Sequence, residues 1–120
     1  MKLKTVAIAL LSLTLISACA TKVGQLDPPP SATSARPSKI TVYRDPSVVG
    51  SPATMIFNID DVKTYGLKQG QSYSFRLDPG EYVFSFFLGL NECRQVVWFK
   101  KGKDYRVKLS PSCDIAPEEL

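Results

Sequence analysis

From residue 39 onward, apolar and polar residues alternate in short runs, which is the period of a β-strand with one buried face. Large apolar residues occupy every second position in residues 73–77 and 82–86. No window of ten or more residues after residue 20 shows the period of an amphipathic helix. Seven strands are predicted, over residues 39–43, 53–59, 62–67, 73–77, 82–86, 93–100 and 105–109. This pattern predicts an all-β fold, an antiparallel β-sandwich of about seven strands.

Turn residues separate these runs. Pro79 presets φ at the second position of the turn at residues 78–81, and Gly80 permits positive φ at the third. Asp60 and Asp61 predict a tight turn between the second and third strands. Residues 101–103 are expected to close a last hairpin between residues 93–100 and 105–109.

The N-terminus has the pattern of a secretory leader. Lys2 and Lys4 precede an apolar run at residues 6–16, which is too short to span a membrane. The small residues before Cys19 resemble the bacterial lipobox, which implies cleavage before Cys19 and lipidation of that cysteine. Ala20 fits sorting to the periplasmic face of the outer membrane. The alternative is an ordinary secreted protein cleaved after Ala18.

Composition divides the rest of the chain. We expect residues 1–18 to be the signal peptide, 19–38 a lipidated cysteine with a Pro/Ser-rich disordered tether, 39–113 the sandwich, and 114–120 a C-terminal tail. An extended tether of this length would reach up to about 50 Å from the bilayer. A Pro-rich peptide ligand is the alternative interpretation of the tether. Loss of Lys2 and Lys4 with the leader lowers the net charge from +4 to about +2, an ordinary surface charge.

The cysteines predict one disulfide. Lipidation of Cys19 would leave Cys93 and Cys113 in a compartment that permits disulfides. Their bridge would close a loop of about 20 residues and contribute about 3 kcal/mol on the chain-entropy model. In the expected last hairpin, Cys93 lies opposite Ser110, so Cys113 would staple the tail to the neighbouring strand. Two buried free thiols are the alternative.

Several segments resemble a family of small bacterial envelope lipoproteins of unknown function. The resemblance covers residues 39–109 and is carried by Tyr43-Arg44, Gly50-Ser51, the residues around Asp60-Asp61, and the segment from Gly66 through Leu77-Asp78-Pro79-Gly80-Glu81-Tyr82. It implies a transthyretin-like or carboxypeptidase-regulatory-like sandwich, in the wider Ig-like class. Asp61 departs from the glycine expected in a tight Asp-Gly turn, so we expect that turn to be longer or of another type.

The residue content argues against an enzyme. The chain contains no histidine, so Ser-His-Asp, Cys-His and His-ligated metal chemistry have no basis. Carboxylates at Asp60, Asp61, Asp78, Glu81 and Glu92 are the candidates for glycoside hydrolysis, but we interpret Asp60-Asp61 as a solvated turn. No catalytic residue, metal site, cofactor or nucleic-acid partner is predicted.

Two surface features remain as candidate binding sites. A basic hairpin is expected at Lys100, Lys101, Lys103 and Arg106, either to contact an anionic polymer or to protect an edge strand from aggregation. Residues 83–88 and 96–99 are apolar on both faces of their strands. Val83 and Phe87 are expected to point outward, together with one of the pairs Val96/Trp98 or Val97/Phe99. We assign a partner surface to Val83, Phe87, Val97 and Phe99.

The sequence therefore favours a lipid-anchored periplasmic protein that is not an enzyme. We expect it to bind another envelope protein, as an accessory subunit of an envelope assembly. The alternative is an inhibitor, or a lipoprotein that binds cell-wall polymer or lipopolysaccharide through the basic hairpin.

Overall fold

The computed structural model describes residues 23–46 and 53–120. The expected signal peptide, Cys19 and Ala20 lie outside these residues. Nine strands form in the described part of the chain: β1 (Gly24–Gln25), β2 (Ser38–Arg44), β3 (Met55–Ile59), β4 (Val62–Leu67), β5 (Ser72–Leu77), β6 (Gly80–Leu88), β7 (Asn91–Phe99), β8 (Tyr105–Ser110) and β9 (Asp114–Glu119).

The strands form two sheets that pack as a β-sandwich, which confirms the predicted all-β fold. One sheet has five strands in the order β1-β4-β3-β6-β7, and the other has four in the order β5-β2-β8-β9. Strands β2 and β8 pair in parallel, with Ile40 opposite Tyr105, so the four-stranded sheet is mixed and not antiparallel throughout as predicted.

The core lies between the two inner faces. In β6, Phe84, Phe86 and Leu88 point inward as the alternation predicted. Phe57 on the central strand β3 contacts Phe84 edge-on, with ring centroids 5.0 Å apart. Fully buried aliphatic side chains complete the core: Ile40, Val42, Met55, Ile59, Leu67, Leu77, Val107 and Leu109.

Two predicted boundaries are wrong. Residues 114–119 form strand β9 rather than a tail, and Ile115 is buried in the core. Pro117 is compatible with β9 because β9 is the last described strand of its sheet, where a missing N–H leaves no ladder bond unmade. Within the expected tether, Gly24–Gln25 form β1 beside β4.

The predicted hairpin between residues 93–100 and 105–109 does not form. β7 belongs to the five-stranded sheet, whereas β8 pairs with β2 and β9 in the other sheet. A turn does occur, in which the N–H of Lys103 donates to the carbonyl of Lys100 at 3.3 Å, but it carries the chain from one sheet to the other. A turn signal specifies a local bend and does not specify whether the flanking strands pair.

Two turns follow from local chemistry. Gly80 has a φ of 141°, in agreement with the positive φ predicted for it. Asp60 and Asp61 form a two-residue turn with φ of 48° and 65°, and Ile59 lies opposite Val62. These are the φ signs of a type I′ turn, so the departure from glycine at Asp61 has not lengthened the turn as expected.

Candidate functional site

The long strand β7 is the candidate site because, among the described strands, it is an edge strand of the five-stranded sheet. Its nine residues pair with β6 on one side, with Val96 opposite Val83 and Trp98 opposite Glu81. An edge strand of this length presents unpaired peptide groups on its other side, which is a template for strand addition.

The outward face of β7 is apolar at its C-terminal half. Trp98 is 66% exposed and Val96 is 49% exposed. Val83 lies beside Val96 on β6 and is half-buried. These three residues form one outward cluster, here called the β7 patch (Val83, Val96 and Trp98). Exposure of a tryptophan side chain to water on an edge strand is unfavourable and unusual, and exposed tryptophans are typical of binding sites.

The structure corrects half of the predicted partner surface. Val97 and Phe99 are 2% and 3% exposed and belong to the core, so the outward pair is Val96/Trp98. Phe99 packs against Tyr105, with centroids 4.8 Å apart, and so fills the space between the sheets. Alternation from Cys93 would have predicted this: a cysteine bonded across to the other sheet must face inward, and so must Val97 and Phe99.

Val83 and Phe87 lie on the outer face as predicted, but they are separated. Phe87 lies opposite Glu92, and Ser85 lies opposite Arg94 between the two apolar residues. Phe87 is half-buried like Val83, but it is not part of the β7 patch because Ser85 and Arg94 lie between them.

Arg94 forms ion pairs on this outer face, between the β7 patch and Phe87. Its guanidinium donates to both carboxylate oxygens of Asp61, at 2.7 and 2.8 Å, and to Glu92 at 3.1 Å. The hydrogen bonds from Arg94 lower the pKa of Asp61, and the bonds to Asp61 and Glu92 raise the pKa of Arg94. Because Asp61 follows β3, two strands away from β7, the Arg94 side chain must cross above β6.

Two polar side chains are buried on the strands beneath the Arg94 side chain. Ser85 on β6 is 1% exposed, and its neighbour Asn58 on β3 is 2% exposed. The Asn58 side-chain nitrogen donates to the Ser85 hydroxyl at 3.2 Å. Arg94 thus links β7 to the turn after β3, across the outer face of β6 and next to the β7 patch.

Of the other candidate carboxylates, Asp60 and Asp78 make structural contacts, whereas Glu81 is exposed on β6 opposite Trp98. Asp60 accepts a hydrogen bond from the N–H of Val83 at 2.8 Å, which ties the β3–β4 turn to β6. Asp78 accepts hydrogen bonds from the N–H groups of Thr33 and Ser34, at 2.9 and 2.7 Å, and these bonds lower its pKa. Asp78 therefore holds the segment that leads into β2.

The residues of the predicted basic hairpin divide between two places. Lys100 and Lys103 lie on the link between the sheets, with their Nζ atoms 3.6 and 3.8 Å from the carboxylate of Glu119. Arg106 lies on the outer face of β8, with its guanidinium carbon 4.2 Å from the centroid of the Tyr43 ring. Lys101 is exposed at the turn. The four residues are not one hairpin tip.

The predicted disulfide is present. Cys93 on β7 is bonded to Cys113, with Cα atoms 5.1 Å apart. Cys113 lies in the turn between β8 and β9, where its N–H donates to the carbonyl of Ser110 at 2.9 Å. The bond therefore joins the two sheets at the side of the sandwich that carries β7, rather than stapling neighbours within one sheet.

No protein-family model matches this chain, and no curated protein is significantly similar to it. Within residues 23–46 and 53–120, no group of three or more Cys, Asp or Glu side chains could hold a metal ion. The same residues contain no helix long and apolar enough to cross a membrane.

Proposed function

We propose that this protein is a lipid-anchored periplasmic adaptor that binds another envelope protein through β7. The exposure of Trp98 on a nine-residue edge strand is the observation that supports this proposal. The lipobox-like sequence ending at Cys19 supports the anchor and the location at the outer membrane. We propose no enzymatic role, since Asp60, Asp61, Asp78 and Glu92 make structural contacts, and Glu81 alone does not supply the pair of carboxylates that glycoside hydrolysis needs.

The partner is expected to add an extended strand to β7. In strand addition, main-chain hydrogen bonds supply affinity, and side chains on the flanking face supply specificity. The β7 patch would supply the apolar contact on that face, with Trp98 as its largest side chain. The Arg94–Asp61 ion pair and the disulfide at Cys93 restrain β7 beforehand, which reduces the ordering cost of binding.

Co-purification in mild detergent tests this proposal. The lipoprotein is isolated from its own envelope with and without Trp98→Ser, and the recovered proteins are compared. We expect one stoichiometric envelope protein with the native chain and its loss with Trp98→Ser. Lys101→Ser is the matched control, since it changes an exposed residue away from the β7 patch. Equal recovery of the same protein with Trp98→Ser would contradict the proposal.

The alternative function, inhibition or binding of cell-wall polymer through a basic hairpin, loses its predicted geometry. Lys100 and Lys103 pair with Glu119 and are separated from Arg106. A cationic surface exists elsewhere on the molecule and is considered next.

A further inference from the structure

The outer face of the four-stranded sheet carries a group of cations on adjacent strands. Lys39 on β2 lies opposite Arg76 on β5. On the other side of β2, Arg106 lies opposite Thr41 and Lys108 lies opposite Tyr43 on the parallel strand β8. We define these four cations (Lys39, Arg76, Arg106 and Lys108) as the basic face.

In the described part of the chain, the four cations of the basic face are bordered by carboxylates but are not paired with them; Asp114 lies on the same face of β9, opposite Ser110. None of its four cations takes part in an ion pair within the described residues. Glu118 lies opposite Arg106 on β9, and Asp104 accepts a hydrogen bond from the N–H of Lys39. On the five-stranded sheet, by contrast, Arg94 is paired with two carboxylates. These four cations therefore lie together on the side of the sandwich opposite the β7 patch, with the carboxylates towards its β9 border.

Hydroxyl groups lie between the cations. The Thr41 and Ser74 hydroxyls are 2.9 Å apart, in the row next to Lys39 and Arg76. Ser72 lies opposite Tyr43 in the following row. Successive residues on one face of a strand are about 7 Å apart, and neighbouring strands about 5 Å, so the cations are spaced for repeated anionic groups.

The shape of this face favours an extended ligand. The depression lined by Lys39, Ser74, Phe75 and Arg76 has a volume of about 110 Å³, well below the volume of a typical small-molecule site. The basic face carries no large exposed apolar side chain that could insert into a bilayer. In the described part of the chain, the large exposed apolar residues all lie elsewhere: Val23, Val62, Leu90, Val96, Trp98 and Leu120.

We infer that the basic face binds a linear acidic polysaccharide. The four cations would contact its phosphate, sulfate or carboxylate groups, and the Ser and Thr hydroxyls would hydrogen-bond to its sugar hydroxyls. This site lies on the sheet opposite the β7 patch, so one molecule could hold a protein partner on one face and a glycan on the other.

Binding of dextran sulfate to the full chain in neutral detergent tests this inference, with uncharged dextran as the ligand control. The variant Lys39→Ala/Lys108→Ala is expected to weaken binding by about fivefold to tenfold. It should also reduce the slope of log affinity against log salt by about one for each lysine removed. Lys63→Ala/Lys101→Ala removes the same charge elsewhere and is expected to leave the affinity within about twofold.

Each other outcome would overturn the inference. Equal losses in the two double variants would show attraction by net charge alone. Binding of uncharged dextran with equal affinity would show that the cations are not the determinants. Displacement of dextran sulfate by mixed micelles of phosphatidylglycerol at an equal or lower concentration of charge would identify a lipid-headgroup surface instead. Failure of the native chain to bind dextran sulfate would contradict the glycan site and leave the proposed protein partner unaffected.

Discussion

Cys93 and Cys113 are bonded across the sandwich, between the edge strand β7 of one sheet and the β8–β9 turn of the other. The strands that meet here belong to different sheets and share no backbone ladder. The covalent bond therefore stabilises the side of the molecule on which the β7 patch is displayed.

Removal of this bond is expected to destabilise the fold. The variant Cys93→Ala/Cys113→Ala should lower the free energy of unfolding by about 3 kcal/mol, because the bond closes a loop in the unfolded chain. Urea denaturation followed by circular dichroism measures this change. Dithiothreitol should shift the native protein to the midpoint of the variant and leave the variant unchanged. A native midpoint that is insensitive to reductant would contradict the stabilising role.

Asp61 is predicted to combine an unfavourable backbone conformation with a favourable ion pair. Its φ of 65° is a conformation that glycine adopts more readily, but glycine cannot accept the bonds from Arg94. Asp61→Gly should therefore stabilise the protein more in the Arg94→Ala background than in the native background. A double-mutant cycle in urea measures the difference. Equal effects in both backgrounds would show that the ion pair contributes nothing.

Asp78 should release the segment at residues 33–34 in acid. Its pKa lies below the ordinary value of 3.8 because the Ser34 and Thr33 N–H groups bond to the carboxylate. A lowered pKa means that this contact stabilises the folded state at neutral pH and is lost as the pH falls through the folded-state pKa, below 3.8. The amide resonances of Thr33 and Ser34 should titrate in this range.

Two controls test whether this titration belongs to Asp78. The N–H of Gln71 donates to the carbonyl of Lys68, and neither residue has an acidic neighbour in the sequence, so the Gln71 resonance should stay constant. Asp78→Asn should abolish the titration at Thr33 and Ser34. Persistence of the titration in this variant would assign it to another group.

Trp98 is the single tryptophan of the chain and so reports directly on the β7 patch. Because its side chain is 66% exposed, its fluorescence should resemble that of free tryptophan and be quenched efficiently by acrylamide. Denaturation in urea should change the emission maximum little, in contrast to a core tryptophan. A blue-shifted emission that is protected from acrylamide in the isolated protein would place Trp98 in a covered environment.

The parts of the fold that depend on local chemistry could be predicted from the sequence. The inward positions of Phe84 and Phe86 follow from alternation, and the bend at Gly80 follows from its turn residues. The disulfide between Cys93 and Cys113 could also be predicted, because the expected lipidation of Cys19 and the expected oxidising compartment leave this pair. These features require no knowledge of which strands are neighbours.

The remaining features depend on long-range pairing. The parallel pairing of β2 with β8 joins residues about 65 positions apart, and no local pattern specifies it. β9 was not predicted because Pro117 and the acidic residues beside it are rare in strands. An edge strand nevertheless accommodates them. The two apolar faces of β7 left Val96/Trp98 and Val97/Phe99 as alternatives, and the assignment of Val97 and Phe99 to the outer face is wrong because both are buried.

Photo-crosslinking in the native envelope tests the central claim most directly. A benzophenone amino acid replaces Glu81 in one strain and Ser72 in another: Glu81 is exposed opposite Trp98, and Ser72 is exposed on β5, the edge strand of the other sheet. The account predicts a discrete adduct with one envelope protein from position 81 and none from position 72. Absence of a protein adduct at position 81, or the same adduct from both positions, would contradict binding through β7.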